Sequence, residues 1–232
     1  MPINQYRESG LHLALKHHLA RDGDVLEAPV DDYIVDIARD DLLIEIQTRH
    51  FAAIKNKLAN LLTSHAVMLA HPIAQARWLV TYDSEGRLIK RRKSPKRGHI
   101  THLFSELVYL PDDLLSHPRF SVCALMTHDE EIRVDDQQGS WRRRGISIRD
   151  RRLLEIVATH HFHAAADYRA LLPDTLGAEF TTQGLADALG QPRRIAQQMA
   201  YCLHRMGIIV RTAKRGNAHV YTATSIDSNG TA

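Results

Sequence analysis

The chain has little cysteine. Cys123 and Cys202 are the only two, far apart and in no paired motif. That excludes a disulfide framework and a Cys-x-x-Cys metal site, and a reducing, cytoplasmic setting is the expectation. No run of about 18 apolar residues occurs, so no helix is expected to span a membrane. The opening "MPINQYRESG" has no basic segment followed by an apolar one, so no secretory leader is expected. Phosphate-cradling glycine loops, dinucleotide fingerprints and Ser-His-Asp signatures are missing too, as are internal repeats and low-complexity stretches. Histidine is plentiful, at fifteen residues. Yet His99/His102 and His160/His161/His163 lack a cysteine cluster or a second spaced pair, so zinc is not expected.

What is present is globular in composition. The 232 residues are 44% apolar and 25% charged, enough for one large domain or two modest ones. The net charge of +3 is uneven: −2 over residues 1–80, −1 over 81–140 and +6 over 141–232. A basic final third on a near-neutral body suggests a polyanion-binding module joined to something else.

Periodicity predicts the elements. Leu11, Leu15 and Leu19 recur every four residues, giving a helix over 3–20 whose stripe extends back to Glu8. Strands follow at about 25–30, 32–39 and 42–47, the last two joined by the tight "RDD" of residues 39–41. "HFAAIKNKLANLL" reads as an amphipathic helix, and "HAVMLAHPI" as a buried strand ended by Pro72. "RWLVTYDSEGRLIKRRK" gives two strands around "DSEG". "THLFSELVYLPDDLL" reads as helical and "FSVCALMTHDEEIRV" as strand. "DDQQGSWRRRG" (135–145) is an arginine-rich link and a candidate boundary. Beyond it, "RDRRLLEIVATHHF" reads as a helix. "TTQGLADAL" is a second, capped by Thr181 or Thr182, and "RRIAQQMAYCLHRMG" a third, ended by Gly207. Two strands around Lys-Arg-Gly-Asn complete the module. Trp78 and Trp141 read as packing residues.

Two acids sit where buried strands want aliphatic residues: Asp36 in "YIVDIA" and Glu45 in "LLIEIQ". Side chains alternate along a strand, so Glu45 and Gln47 share a face. Antiparallel pairing brings Asp36 near that end. Buried, unpaired carboxylates cost several kcal/mol each (about 2–7 even for neutral polar groups). A hard divalent cation resolves this, since Mg²⁺ is held by one or two carboxylates plus waters and phosphate. On a half-exposed sheet the same acids would simply face solvent.

Glu8 on a leading helix, Asp36 ending one strand, then "EIQ" on the next, a helix and an apolar strand resemble the PD-(D/E)XK nuclease superfamily. The resemblance covers residues 3–75 and extends toward 135. It implies a restriction-endonuclease-like α/β fold, a mixed sheet flanked by helices, with Mg²⁺ or Mn²⁺ on Asp36, Glu45 and Glu8. The chain departs from the motif at Gln47, where a lysine is expected. Gln47 would position water, with Lys55 or Lys57 on the next helix lending the positive charge.

Residues 148–224, three helices and a two-stranded wing, resemble a winged helix-turn-helix. Its third helix would present Gln191, Arg193, Arg194 and Gln197 to base edges or phosphates, and Arg211, Lys214 and Arg215 on the wing would touch phosphates. The run "RLIKRRKSPKR" holds seven basic side chains, including Arg91, Arg92 and Lys93. It is either a solvated hairpin edge or a phosphate-tracking arm.

The expectation is a metal-dependent DNA endonuclease, with a nuclease-like domain over 1–140, a winged helix over 148–224 and a disordered tail over 225–232. Cutting both strands makes a homodimer plausible. The alternative is a non-catalytic DNA-binding regulator, or an accessory subunit with partner proteins in a defence or repair complex.

Overall fold

The computed structural model describes residues 9–224. Glu8 and the expected tail at 225–232 lie outside them. The fold is mixed α/β and divides into two units interleaved along the chain. The first comprises residues up to 48 with 70–100 and 124–160, and the second 49–69, 101–123 and 161 onward. Residues 1–140 therefore contribute to both units, and 148–160 belong to the first.

The first unit opens with α1 (Gly10–Leu19). Ser9 is its N-cap, with an extended backbone and a hydroxyl accepting from the His12 amide at 3.3 Å. The helix thus starts later than the apolar stripe implied. Asp150 adds a second cap, accepting from the Gly10 amide at 2.8 Å. Leu11 and Leu15 are buried, and α1 packs on β3.

A seven-stranded sheet follows: β1 (Val25–Val30), β2 (Tyr33–Arg39), β3 (Leu42–Ile46), β4 (Ala66–Asp83), β5 (Leu88–Lys93), β6 (Phe120–Asp135) and β7 (Ile146–Phe162). The order is β1-β2-β3-β4-β6-β7, with β5 on the latter half of β4. The first three strands stand where alternation put them. The β2–β3 register runs Arg39↔Leu42, Ala38↔Leu43, Ile37↔Ile44, closed by Asp40 and Asp41.

Three expectations need correction. β4 does not stop at Pro72 but runs through it for 18 residues, because proline's fixed φ suits extended backbone and forfeits only one donor. Residues 149–162 are strand, not helix. Their apolar residues suit either period, and hydrogen bonding to β6 decides. The link at 135–145 is then the tip of the β6–β7 hairpin. Trp141 on that tip is 83% exposed, so it is not a packing residue.

A charged network stiffens the sheet. Arg77 on β4 donates two bonds to Asp129 on β6, at 2.6 and 2.8 Å. Glu131, two residues on and so on the same face, accepts from Arg133 at 2.8 Å and lies 3.6 Å from Arg151 of β7.

The second unit holds α2 (Lys55–Leu61), α3 (Phe104–Leu107), α4 (Asp112–Leu115), α5 (Ala165–Arg169), β8 (Glu179–Thr181), α6 (Thr182–Leu189), α7 (Arg193–Arg205), β9 (Ile209–Arg215) and β10 (Ala218–Ala223). One-turn 3-10 helices precede α2 and α3. Thr181 caps α6 by accepting from the Gly184 amide at 3.2 Å. Gly207 follows α7 at φ +71°, a conformation glycine adopts without a Cβ clash. β10 pairs with both β8 and β9. α7 is buried through Ala196, Met199, Ala200, Cys202 and Leu203, against α3 and α6. Burial pushes the Cys123 and Cys202 thiols up to about 11 and 12, so neither is a ready nucleophile.

Candidate functional site

Strand register builds the site. The β2–β3 ladder ends at Ile37↔Ile44, one residue short of Asp36 and Glu45. On the other side, Leu26↔Ile37 and Ala28↔Val35 set Glu27 across from Asp36. Residues opposite each other in a ladder share a face. Glu27 and Asp36 therefore share a face of neighbouring strands, about 4.8 Å apart, and Glu45 follows the last β2–β3 rung, beside the Ile46 amide that donates to Asp36. Val35 and Ile37, on the other face of β2, are fully buried.

Helix α1 sets two basic side chains against these acids. Lys16 is 2% exposed, with Nζ 3.1 Å from Glu27 Oε1 and 3.6 Å from Asp36 Oδ1. His12, one turn earlier, places Nε2 3.4 Å from Asp36 Oδ2 and 3.1 Å from the Ile46 carbonyl. The Ile46 amide donates to Asp36 Oδ2 at 2.8 Å. Burial alone would raise the Asp36 carboxyl. The bonds from His12 and Ile46 and the charges of His12 and Lys16 outweigh it and hold the group below its ordinary range. Asp36 is thus ionised at neutral pH.

Glu45 is 6% exposed within a strand buried on both faces. Gln47 lies just past the end of β3. Its amide donates to the Ala70 carbonyl at 2.9 Å, and its own carbonyl is bonded by His71 Nδ1 at 2.7 Å, which fixes where the side chain starts. Lys55 and Lys57 fall in the second unit, on α2, Lys55 exposed and Lys57 half-buried. Among the described residues no group of three or more His, Cys, Asp or Glu side chains forms a metal cage. Two hard carboxylates still match the donor set Mg²⁺ takes from protein, with waters and phosphate completing six positions.

His12, Lys16 and Glu27 were not singled out from the sequence. His12 and Lys16 are four apart on the leading helix, beside Leu11 and Leu15, and that spacing was the available signal.

The second unit holds the residues expected to meet a polyanion. Arg193, Arg194 and Gln197 on the first turns of α7 are exposed. Gln191 is half-buried, its Oε1 3.2 Å from His102 Nε2. Arg211, Lys214 and Arg215 are exposed on the β9–β10 hairpin, Arg215 bonded to Glu179 at 3.1 Å. Desolvation and then the charges of Arg211 and Lys214 lower His219. In the first unit, β5 is exposed throughout. Arg91 and Lys93 lie 5.4 and 5.1 Å from the Trp78 ring, and Arg91 also bonds Glu130 at 2.8 Å.

Residues 9–163 match the model of the DUF8091 family, described as a domain of unknown function. The chain is a DUF8091 protein. An uncharacterized protein of Treponema pallidum (strain Nichols) is 32% identical over 223 residues, spanning 95% of this DUF8091 chain and 87% of the relative. No solved structure matches it. The three acids and both α1 basic side chains lie within the matched segment; α6, α7 and the β9–β10 hairpin lie beyond it. No described helix is long and apolar enough to cross a membrane.

Proposed function

We propose that this protein is a Mg²⁺- or Mn²⁺-dependent DNA endonuclease of the PD-(D/E)XK type, held on DNA by a winged helix. The observation that carries the reading is the Asp36 carboxylate at the end of β3, accepting from the Ile46 amide next to Glu45, with buried Lys16 3.6 Å away. The order α1-β1-β2-β3-α2-β4, with β1 to β4 adjacent in the sheet, supports it. So does the order α5-β8-α6-α7-β9-β10, with β10 between β8 and β9, for the winged helix.

Asp36 and Glu45 would hold the metal, which when bound polarises the scissile phosphate and makes an attacking water more acidic. Glu8 lies outside the described residues and stays a candidate third ligand. Gln47 orients water by hydrogen bonding but carries no charge. Lys16 supplies the cation its position lacks, close enough to Asp36 to stabilise negative charge developing at phosphate. Lys55 and Lys57 remain alternatives for that charge. Arg193, Arg194 and Gln197 read or grip the major groove, and Arg211, Lys214 and Arg215 grip the backbone. A homodimer would cut both strands.

The test is nicking of supercoiled, branched and single-stranded DNA with Mg²⁺ or Mn²⁺, beside Asp36→Ala, Glu45→Ala, Lys16→Met and Lys55→Ala/Lys57→Ala. Cleavage by wild type, lost in the first two, supports the reading. No cleavage of any substrate, together with no thermal stabilisation by either ion, would falsify it.

One observation favours a second reading. Lys16 and His12 already compensate Asp36 without a metal, and Gln47 replaces the motif lysine. A non-catalytic DNA-binding regulator or accessory subunit would show that arrangement, binding DNA through α7 while ignoring Mg²⁺.

A further inference from the structure

The β6–β7 hairpin presents a tryptophan and three consecutive arginines on a braced tip. Trp141 to Arg143 form one 3-10 turn, and Arg144 follows at φ +52°. The Gly139 amide donates to the Gly145 carbonyl at 2.7 Å, and Arg143 Nε to the Ile146 carbonyl at 3.1 Å. A Cβ on Gly139 would lie 1.9 Å from the Ile146 oxygen, so only glycine allows this closure. At the base, Asp136 accepts from Ser147 at 2.7 Å and is paired with Arg149. The tip is therefore held in shape, and it exposes Trp141 by 83%.

The surroundings select the ligand. Arg142 lies 5.5 Å from the Trp141 ring, and neither Arg142 nor Arg144 has an acidic partner among the described residues. A protein-binding hot spot also draws on tryptophan and arginine, but seats them in a packed, desolvated pocket. Here the ring is exposed and its neighbours are guanidinium groups. A flat aromatic face beside unneutralised arginines matches an unpaired base and its flanking phosphates. In duplex DNA the base faces are stacked and unavailable to such a ring.

We propose that Trp141 with Arg142 and Arg144 is a contact site for single-stranded nucleic acid, Trp141 stacking on a base and the arginines meeting phosphates. It rests on the nucleic-acid reading above but on none of its catalytic residues, and it assigns a preference for unpaired strands to a place outside the winged helix.

The experiment measures anisotropy of labelled oligo(dT) and of a blunt duplex in EDTA, for wild type, Trp141→Ala, Trp141→Phe and Arg142→Ala/Arg144→Ala. Trp141→Ala should weaken oligo(dT) roughly tenfold, with Trp141→Phe retaining most of the affinity and duplex binding unmoved. The arginine pair should lose affinity and flatten the salt dependence. In Trp78→Phe protein the remaining tryptophan's emission should be quenched by oligo(dT) and not by poly-glutamate. Unchanged oligo(dT) affinity in Trp141→Ala would overturn this site alone, leaving duplex binding and cleavage to judge the nuclease reading. Quenching by poly-glutamate instead would overturn it in favour of an acidic protein partner.

Discussion

Lys16 Nζ lies 3.6 Å from Asp36 Oδ1, and the two residues do not depend on each other equally. Lys16→Met removes a buried ammonium. Asp36 then keeps His12 and the Ile46 amide, and Glu27, already largely exposed, turns to water. The stability change should be within about 1 kcal/mol, since an apolar side chain of similar volume replaces a buried charge. Asp36→Ala removes an acidic partner 3.6 Å from the buried ammonium and should cost about 3 kcal/mol. Urea denaturation of both variants checks the asymmetry. Equal losses would mean that Lys16 is held by packing alone.

Asp36 also sets an acid limb. Its folded carboxyl sits below the ordinary 3.8. A depressed folded value gives stability that is fully present above the unfolded value and is lost as pH falls through the folded one. Wild type should therefore lose its advantage over Asp36→Asn below about pH 4. Denaturation at neutral pH and at pH near 3 reads this directly; a gap that stays constant with pH refutes it.

In the sheet, Asp129 is 1% exposed and is the bidentate partner of Arg77. Asp129→Ala strands that guanidinium, with Glu131 3.7 Å away as partial relief. The expected cost is about 3 kcal/mol, much of it recovered when Arg77→Met is added. A loss below about 1 kcal/mol for the single variant would show the pair to be solvated.

Both thiols should resist modification in the native state. Cys123 and Cys202 are fully buried, with pKa values pushed up to about 11 and 12. A thiol-reactive dye should label them only at the unfolding rate, accelerating with urea. Rapid labelling without denaturant would reveal an opening that exposes β6 or α7.

Gly139→Ala tests the hairpin tip. The added methyl meets the Ile146 carbonyl, so the tip must open and lose the Gly139–Gly145 bond. We expect a fall in melting temperature of a few degrees, about 2–4 °C per kcal/mol at this chain length. The Trp141 emission should broaden as well. An unchanged melting curve would show the turn to be adaptable.

Much of this was readable from residues. β1 to β3 alternate clearly, and the two-residue turn at Asp40–Asp41 fixes the β2–β3 register, so Asp36 and Glu45 could be assigned to neighbouring strands from the sequence. Thr181 and Gly207 marked helix ends by their own chemistry. β7 was not readable, because Leu153, Leu154, Ile156 and Val157 suit a helix face as well as a strand, and only β6 decides. Nor was the Lys16 environment. Spacing puts Lys16 and His12 on one stripe, but their contact with Asp36 depends on how α1 lies across β3. Glu27 sits beside Asp36 through the local β1–β2 hairpin register, but its left-handed backbone at φ +50° has no signal in the sequence.

The interleaving of the units has a consequence for dissecting the protein. The polypeptide passes between them at residues 48/49, 69/70, 100/101, 123/124 and 160/161. A fragment cut where the family match ends, at residue 163, would carry 49–69 and 101–123 without the remainder of their unit. Its exposed leucine and phenylalanine faces would invite aggregation, and loss of activity on truncation would report misfolding before it reported mechanism. The proposed cleavage and DNA binding are better dissected by point substitution in the intact polypeptide than by scissors.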